Sequence, residues 1–436
     1  MKFVIPASLT ILAATSPAFA GQVIVVGPLP TQVANIQAAV DAAVDGDVIL
    51  VKSGTYSTFS VPNKTVTIVA DVGQVVNVLG AARVRNLSIE RKVVIAGLNV
   101  IGQLTGTAVE GNGFYATNCA GAIRVQNCTL TGFDGTGAPC PSVPRSGAEI
   151  VNCADVSFVR CTLTGSGLVN LNTPNPGLPP GSREGNGLVA TGSSVSVHET
   201  TARGGYGGTM CNGYSDGTDG GDGARIQSSF VFIANGTLRG ADGMTWTVGG
   251  PFGAFAGWGG NGFSILDAAS NVHLIQCSLI PGQGGTNYNC GLCGSCCSGQ
   301  AGSTYTSAAS NPDFIPSTAP TLAAANIGRE SLALALTIHG TAGDRASIAI
   351  ARDAQFVFDP AQQGVILAGP AAPEATRYWI VGTIPANGLL AASLQLPAIP
   401  LADPGRTLWL QLTTTSPIGT SHVGSPLTVA VVDSAY

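Results

Sequence analysis

A chain of 436 residues, 45% hydrophobic and only 10% charged, is too apolar to be disordered and longer than one hydrophobic core usually fills. Its 59 glycines argue against a helical bundle and for many short strands broken by turns. A formal charge of -5 leaves no basic footprint for nucleic acid.

Residues 1–20 read as a secretory signal: Lys2 supplies the charged start, Phe3 to Ala14 the apolar stretch, and Ala18-Phe19-Ala20 a small-x-small cleavage site. The mature chain is expected to begin near Gly21 and to be secreted or held at the extracellular surface. No later apolar run is long enough to span a bilayer. Export makes the 11 cysteines disulfide candidates, with at least one left over from an odd count.

In VANIQAAVDAAVDGDVILVKSGTY, from Val33, the residues Ile36, Val40 and Ala43 recur at helical spacing. Gly46 ends that helix and a strand begins at Val48. Beyond it a ten-residue block recurs six times: VVIAGLNVIG from Val93, IRVQNCTLTG from Ile123, VSFVRCTLTG from Val156, VSVHETTARG from Val195, VFIANGTLRG from Val231 and VHLIQCSLIP from Val272. Its first, third and eighth positions are apolar, which is strand patterning with one buried face. Shorter signatures, GFYAT from Gly113, GAEIV from Gly147, GLVAT from Gly187, GARIQ from Gly223 and GFSIL from Gly262, precede the later blocks, so each repeat holds at least two strands. Stacked in parallel, the repeats would align apolar columns around a continuous bore. Two further columns, Leu98, Cys128, Cys161, Thr200, Gly236, Cys277 and Cys119, Cys153, Ser193, Ser229, Ala268, favour small groups, as an interior corner would. Facing cysteines there suit either disulfides or buried free thiols.

On these residues the chain resembles the pectin-lyase-like family of right-handed parallel β-helix proteins, whose members open with such an IQAAVDAA…GD helix followed by GTY. The resemblance covers roughly residues 22 to 305. It implies an all-β fold, a right-handed parallel β-helix with an N-terminal capping helix. It does not select an activity, because the family includes lyases, hydrolases, epimerases and noncatalytic surface proteins.

The expected organisation is a signal peptide at 1–20, a parallel β-helix at 21–310, a linker at 311–325 containing PSTAP, and a C-terminal β-sandwich at 326–436. Seven strand-like runs carry the sandwich: Ser331 to Ile338, Ala346 to Ala351, Val365 to Ala368, Tyr378 to Thr383, Leu389 to Leu396, Thr407 to Thr413 and Pro426 to Val432. Loops of variable length join the end of each block to the next signature, so all should leave one side of the stack, where function is expected.

The loop GYSDGTDGGDG offers Asp216, Asp219 and Asp222, and Arg203 and Arg239 share one block position in neighbouring repeats. Polysaccharide lyases of the resembling family place carboxylates around Ca²⁺ with a basic residue nearby, so the three aspartates are candidate metal ligands and the two arginines candidate catalytic groups. Glycine and aspartate also simply form exposed turns. Tyr206, Tyr214, Trp246, Phe252 and Trp258 are candidate stacking surfaces for a sugar, against the alternative of packing the long loops together. CGLCGSCC, with Cys290, Cys293, Cys296 and Cys297, is read as a disulfide-stapled loop rather than a zinc site, given export. His198 and His273 fall between inward positions and are expected as outward polar residues. The favoured function is noncatalytic binding of carbohydrate or an extracellular matrix component through the loop side. A Ca²⁺-dependent polysaccharide lyase acting on acidic polysaccharide and a structural adhesin are the alternatives.

Overall fold

The computed structural model describes residues 21–103, 111–133, 145–167, 185–207, 218–245, 256–286, 298–308, 311–351, 356–366, 377–399 and 405–436. Among them is a single helix, and the strands up to Asp313–Phe314 form one 22-stranded sheet. Those strands pair in parallel, and the sheet winds nearly closed on itself.

Each winding passes through three faces. In one turn the first face is Phe114 to Thr117, the second Ile123 to Gln126 and the third Thr129–Thr131, and each pairs with its equivalents in the turns before and after. The first residues of all six blocks, Val93, Ile123, Val156, Val195, Val231 and Val272, are direct partners in succession. That register holds because a slip of one residue would turn every buried side chain outward. The first and third block positions all enter one continuous core, as do the eighth positions from Val100 to Leu238.

The coil begins before the recognisable repeat. Val23–Val26, Asp47–Val51 and Val66–Ala70 occupy the second face ahead of Val93. The helix Ile36–Ala42 lies against these first turns, with Ile36, Ala39 and Val40 fully buried, and its Asn35 side chain accepts the Ala38 N–H at 2.8 Å.

Corners are made by residues in the left-handed conformation. Asn127, Arg160, Glu199, Asn235 and Gln276 (φ 49–54°) turn the second face into the third, and Asn86, Asn118, Asn152, Gly192 and Ser228 turn the first into the second. The residue after most of them donates its side chain to the carbonyl two positions back: Cys128 to Gln126 (3.3 Å), Cys161 to Val159 (3.5 Å), Thr200 to His198 (2.8 Å), Cys153 to Val151 (3.4 Å) and Ser193 to Thr191 (2.8 Å). Thiol and hydroxyl are therefore interchangeable in the small-residue columns. Cys119, Cys128, Cys153, Cys161 and Cys277 are free thiols. Burial pushes the Cys128 and Cys277 thiols up to about 11, so they stay protonated as donors. The last member expected in the second column, Ala268, gives way to Ser270, whose hydroxyl accepts the Ser229 N–H at 3.4 Å.

The carboxy-terminal part forms two sheets about a common apolar core. One holds Thr321–Ala323, Ala333–His339 and Leu389–Gln395; the other holds Ile327–Arg329, Ser421–Val432, Gly405–Thr415, Arg345–Ala351 and Arg377–Thr383. Six of the seven sequence-predicted strands appear there within a few residues of their expected ends, and the remaining one, Gly364–Ile366, pairs with Val357–Asp359.

These sheets lie along the outside of the second face. Val48, Leu50, Val69 and Ala96 share a cluster with Ile327, Ala430 and Val432; Val94 packs with Ala351 and Trp409; and Phe232, Ala234 and Ile275 pack with Ala319 and Val365. The connecting segment is tied down by the corner residues. Arg160 donates to the Leu322 carbonyl (2.6 Å), Asn235 donates to the Ala319 carbonyl (2.9 Å), and Gln276 accepts the Ala319 N–H (2.9 Å). His198 points away from the bore as expected but is not exposed: it is 2% accessible, tilted against Phe232 at 5.6 Å. Burial, then the charges of Arg124 and Arg160, lowers its pKa to about 3 and keeps the ring neutral. Arg124 itself pairs with Asp155 (Nη2 to Oδ2, 2.7 Å) beneath the Trp409 ring, 5.4 Å away.

Candidate functional site: the loop slab and the third face

Every long loop joins the third face to the first, so all leave from one corner of the coil, as their shared end points predicted. Their described portions are outgoing and returning legs, and these legs bond to one another. Gly240 donates to the Ile280 carbonyl and Gly243 to Gln283, which joins outgoing legs side by side (both 2.8 Å). Gly223 donates to Asn261 (2.9 Å) and Gly259 to Gln300 (2.8 Å), which joins returning legs. Between the two layers runs a zigzag: Gly205 to Gly185, Gly221 to Gly205, Ala241 to Gly221, Gly260 to Ala241, Gly282 to Gly260 and Gly302 to Gly282, at 2.7–2.9 Å. The result is a two-layer slab made of backbone.

At most of these positions glycine is required because the legs approach too closely for side chains. A Cβ added at Gly205 would overlap the Ser166 carbonyl oxygen, and one at Gly260 that of Gly221. Glycine spacing follows from the same geometry. Gly204 and Gly207, Gly220 and Gly223, Gly240 and Gly243, Gly257 and Gly260, Gly282 and Gly285, and Gly299 and Gly302 are each three apart, the period of a polyproline II chain. Of every three residues, one N–H meets the next leg of its own layer and one meets the other layer. The third position turns away from both, and there the side chains stand.

This pattern places the candidate residues. Asp219 and Asp222 occupy the third position of a returning leg, as does Trp258 of the next. Asp219 accepts the Trp258 N–H (2.8 Å), and Asp222 accepts the Asn261 N–H and the Ser264 hydroxyl (2.8 Å each). Asn186 and Asn261 repeat this acceptor role for Asp222 (3.0 Å) and Ser303 (2.9 Å). The spacing of three between these aspartates is thus the pitch of the slab, with carboxylates serving as acceptors for outward N–H groups. Among the described residues no group of three or more His, Cys, Asp or Glu is placed to hold a metal ion. Asp216, Tyr214, Trp246 and Phe252 lie outside the described residues, as do Cys290, Cys293, Cys296 and Cys297.

Arg203 and Arg239 come together on the other layer's side. They are direct partners on the third face, each pointing outward immediately after a buried residue, Ala202 and Leu238. The Tyr206 ring lies 4.2 Å from the Arg203 guanidinium and is half-exposed. Asp242, on the next outgoing leg, accepts the Gln283 N–H (2.8 Å). Burial, then the Arg239 charge, holds Arg203 below its ordinary pKa, with Asp242 opposing. The acidic pair with Trp258 and the basic pair with Tyr206 therefore face opposite sides of the slab and do not converge on one centre.

Sequence reasoning missed the row beside the arginines. Thr129, Thr162, Thr201, Thr237 and Ser278 stand on the same strands, each paired with the next, and none of these strands takes part in the clusters shared with the carboxy-terminal sheets. The signal was present, since these residues fill the seventh block position after Asn99. Tyr305 stacks on Phe263 at the end of the core (5.6 Å).

A comparison with known protein families finds none whose pattern matches this chain, and a comparison with curated proteins finds no relative.

Proposed function

We propose that this is an exported protein of the right-handed parallel β-helix, pectin-lyase-like kind, capped by its helix, that binds carbohydrate or an extracellular matrix component without catalysis. The separation of the two charged groups onto opposite faces of the slab carries this reading. Metal-assisted removal of a proton beside a carboxylate needs cation and base at one reacting centre, whereas Asp219 and Asp222 are engaged with backbone N–H groups on the far side from Arg203 and Arg239. Binding needs only a fixed surface, and the rigid corner supplies one, with Tyr206 49% and Trp258 55% exposed as stacking platforms. The signal-like residues 1–20 support export. The carboxy-terminal sheets would serve docking or attachment, since their packing on the second face leaves the third face open.

The test is incubation of the purified full chain with a panel of neutral and acidic polysaccharides, with and without Ca²⁺, following both retention and chain scission. Retention without new unsaturated or reducing ends is expected. Ca²⁺-dependent unsaturated products would establish the lyase instead, and neither retention nor scission would sink the carbohydrate reading.

A further inference from the structure

The outward side of the third face is ordered in two parallel rows. One is the hydroxyl ladder Thr129, Thr162, Thr201, Thr237 and Ser278, whose members are direct neighbours. Adjacent strands lie about 4.7–4.9 Å apart, so hydroxyls recur along a straight line at roughly the length of one sugar ring. The other row runs Thr131, Thr164, Arg203, Arg239.

The arginines set the charge and the shape of the partner. Among the described residues neither forms an ion pair, and Arg203 Nε has no hydrogen-bond partner. A planar carboxylate makes its best match with a single guanidinium through two parallel in-plane bonds, and bridges two only by giving up that fork. A tetrahedral oxyanion presents three oxygens in different directions and can accept from both at once. The ladder beside them supplies donors and acceptors suited to the hydroxyls of a sugar chain.

We propose that the third face binds a linear sulfated glycan, laid along the Thr129 to Ser278 ladder with one ester sulfate held between Arg203 and Arg239. This rests on the carbohydrate-binding reading and adds to it the face used and the class of glycan. A phosphate ester has the same shape, so the two sources are separated by the experiment.

Binding of the full chain to dextran sulfate, polygalacturonate, a phosphorylated mannan and unsubstituted dextran is measured by titration calorimetry. Dextran sulfate is expected to bind most tightly, and the double variant Arg203→Ala/Arg239→Ala to lose about tenfold or more of that affinity. Arg203→Lys/Arg239→Lys keeps both charges but not the forks, and should fall between. Circular dichroism of each variant checks that the coil is retained. Polygalacturonate or phosphorylated mannan binding as tightly as dextran sulfate, or dextran sulfate binding that both double variants leave intact, overturns the inference while the carbohydrate reading stands. Failure of the wild type to bind any of the four overturns the inference, and failure on the wider polysaccharide panel overturns the reading beneath it.

Discussion

The coil and the loop slab hold neighbouring backbones together by opposite means. In the coil, strands are kept apart by side chains that fill the bore, and the apolar columns from Val93 to Leu274 supply the stability. In the slab, side chains are removed from most of the contact positions, and backbone meets backbone through the Gly205 to Gly302 zigzag. One region is stabilised by what its residues carry and the other by what they lack. Deleting side-chain atoms should therefore damage the coil, and adding them should damage the slab.

The largest effect is expected in the bore. Phe158 is fully buried and meets Phe114 edge-on at 5.9 Å, so Phe158→Ala should cost about 3–5 kcal/mol, read from urea unfolding. Truncation at an outward slab position such as Gln300 should cost little by comparison. Gly205→Ala reverses the logic: one added methyl meets the Ser166 carbonyl oxygen, and a loss of about 1–3 kcal/mol is expected. If this alanine variant melted like the wild type, the legs would not be in contact as described.

The covered second face sharpens the comparison through pH. His198 has a folded pKa of about 3 against an ordinary 6.5, so the unfolded chain binds the proton more tightly. Its contribution is fully present above pH 6.5 and declines as pH falls toward 3, by roughly 1.4 kcal/mol per pH unit. The difference in urea midpoint between wild type and His198→Gln should therefore shrink or reverse between pH 7 and pH 5. A difference independent of pH in that window would mean the imidazole is solvated.

How much was legible in the chain follows from the same contrast. Block positions one, three and eight announced the bore because apolar alternation is the signal of a buried strand face, and the sequence reading placed them correctly. Beyond the strand at Val48, the turns before Val93 were not read as repeats because the third and first faces are there joined through Gly80 and Thr58, without the long loop and glycine signature that mark the later turns. The covered second face was also written in the sequence. The runs DVILV from Asp47 and VTIVA from Val66 are apolar without alternation, as in strands buried on both sides, and both are fully buried. The role of the corner cysteines was not visible, since only the structure reveals that Cys161 and Thr200 make the same bond two residues back. Glycine was the least legible of all. It was read as turns between strands, whereas in the loops it serves as room for the neighbouring leg.

That last point is the account's centre, and amide hydrogen exchange on the intact protein tests it most directly. The N–H groups of Gly205, Gly221, Ala241, Gly260, Gly282 and Gly302 lie in no strand, yet each donates to a carbonyl of another leg. They should exchange slowly, with protection approaching that of the strand amides in Thr201–Arg203 and Thr237–Arg239. Exchange of these amides at the rate of a free loop would contradict the slab, and with it the placement of the two charged groups on opposite faces.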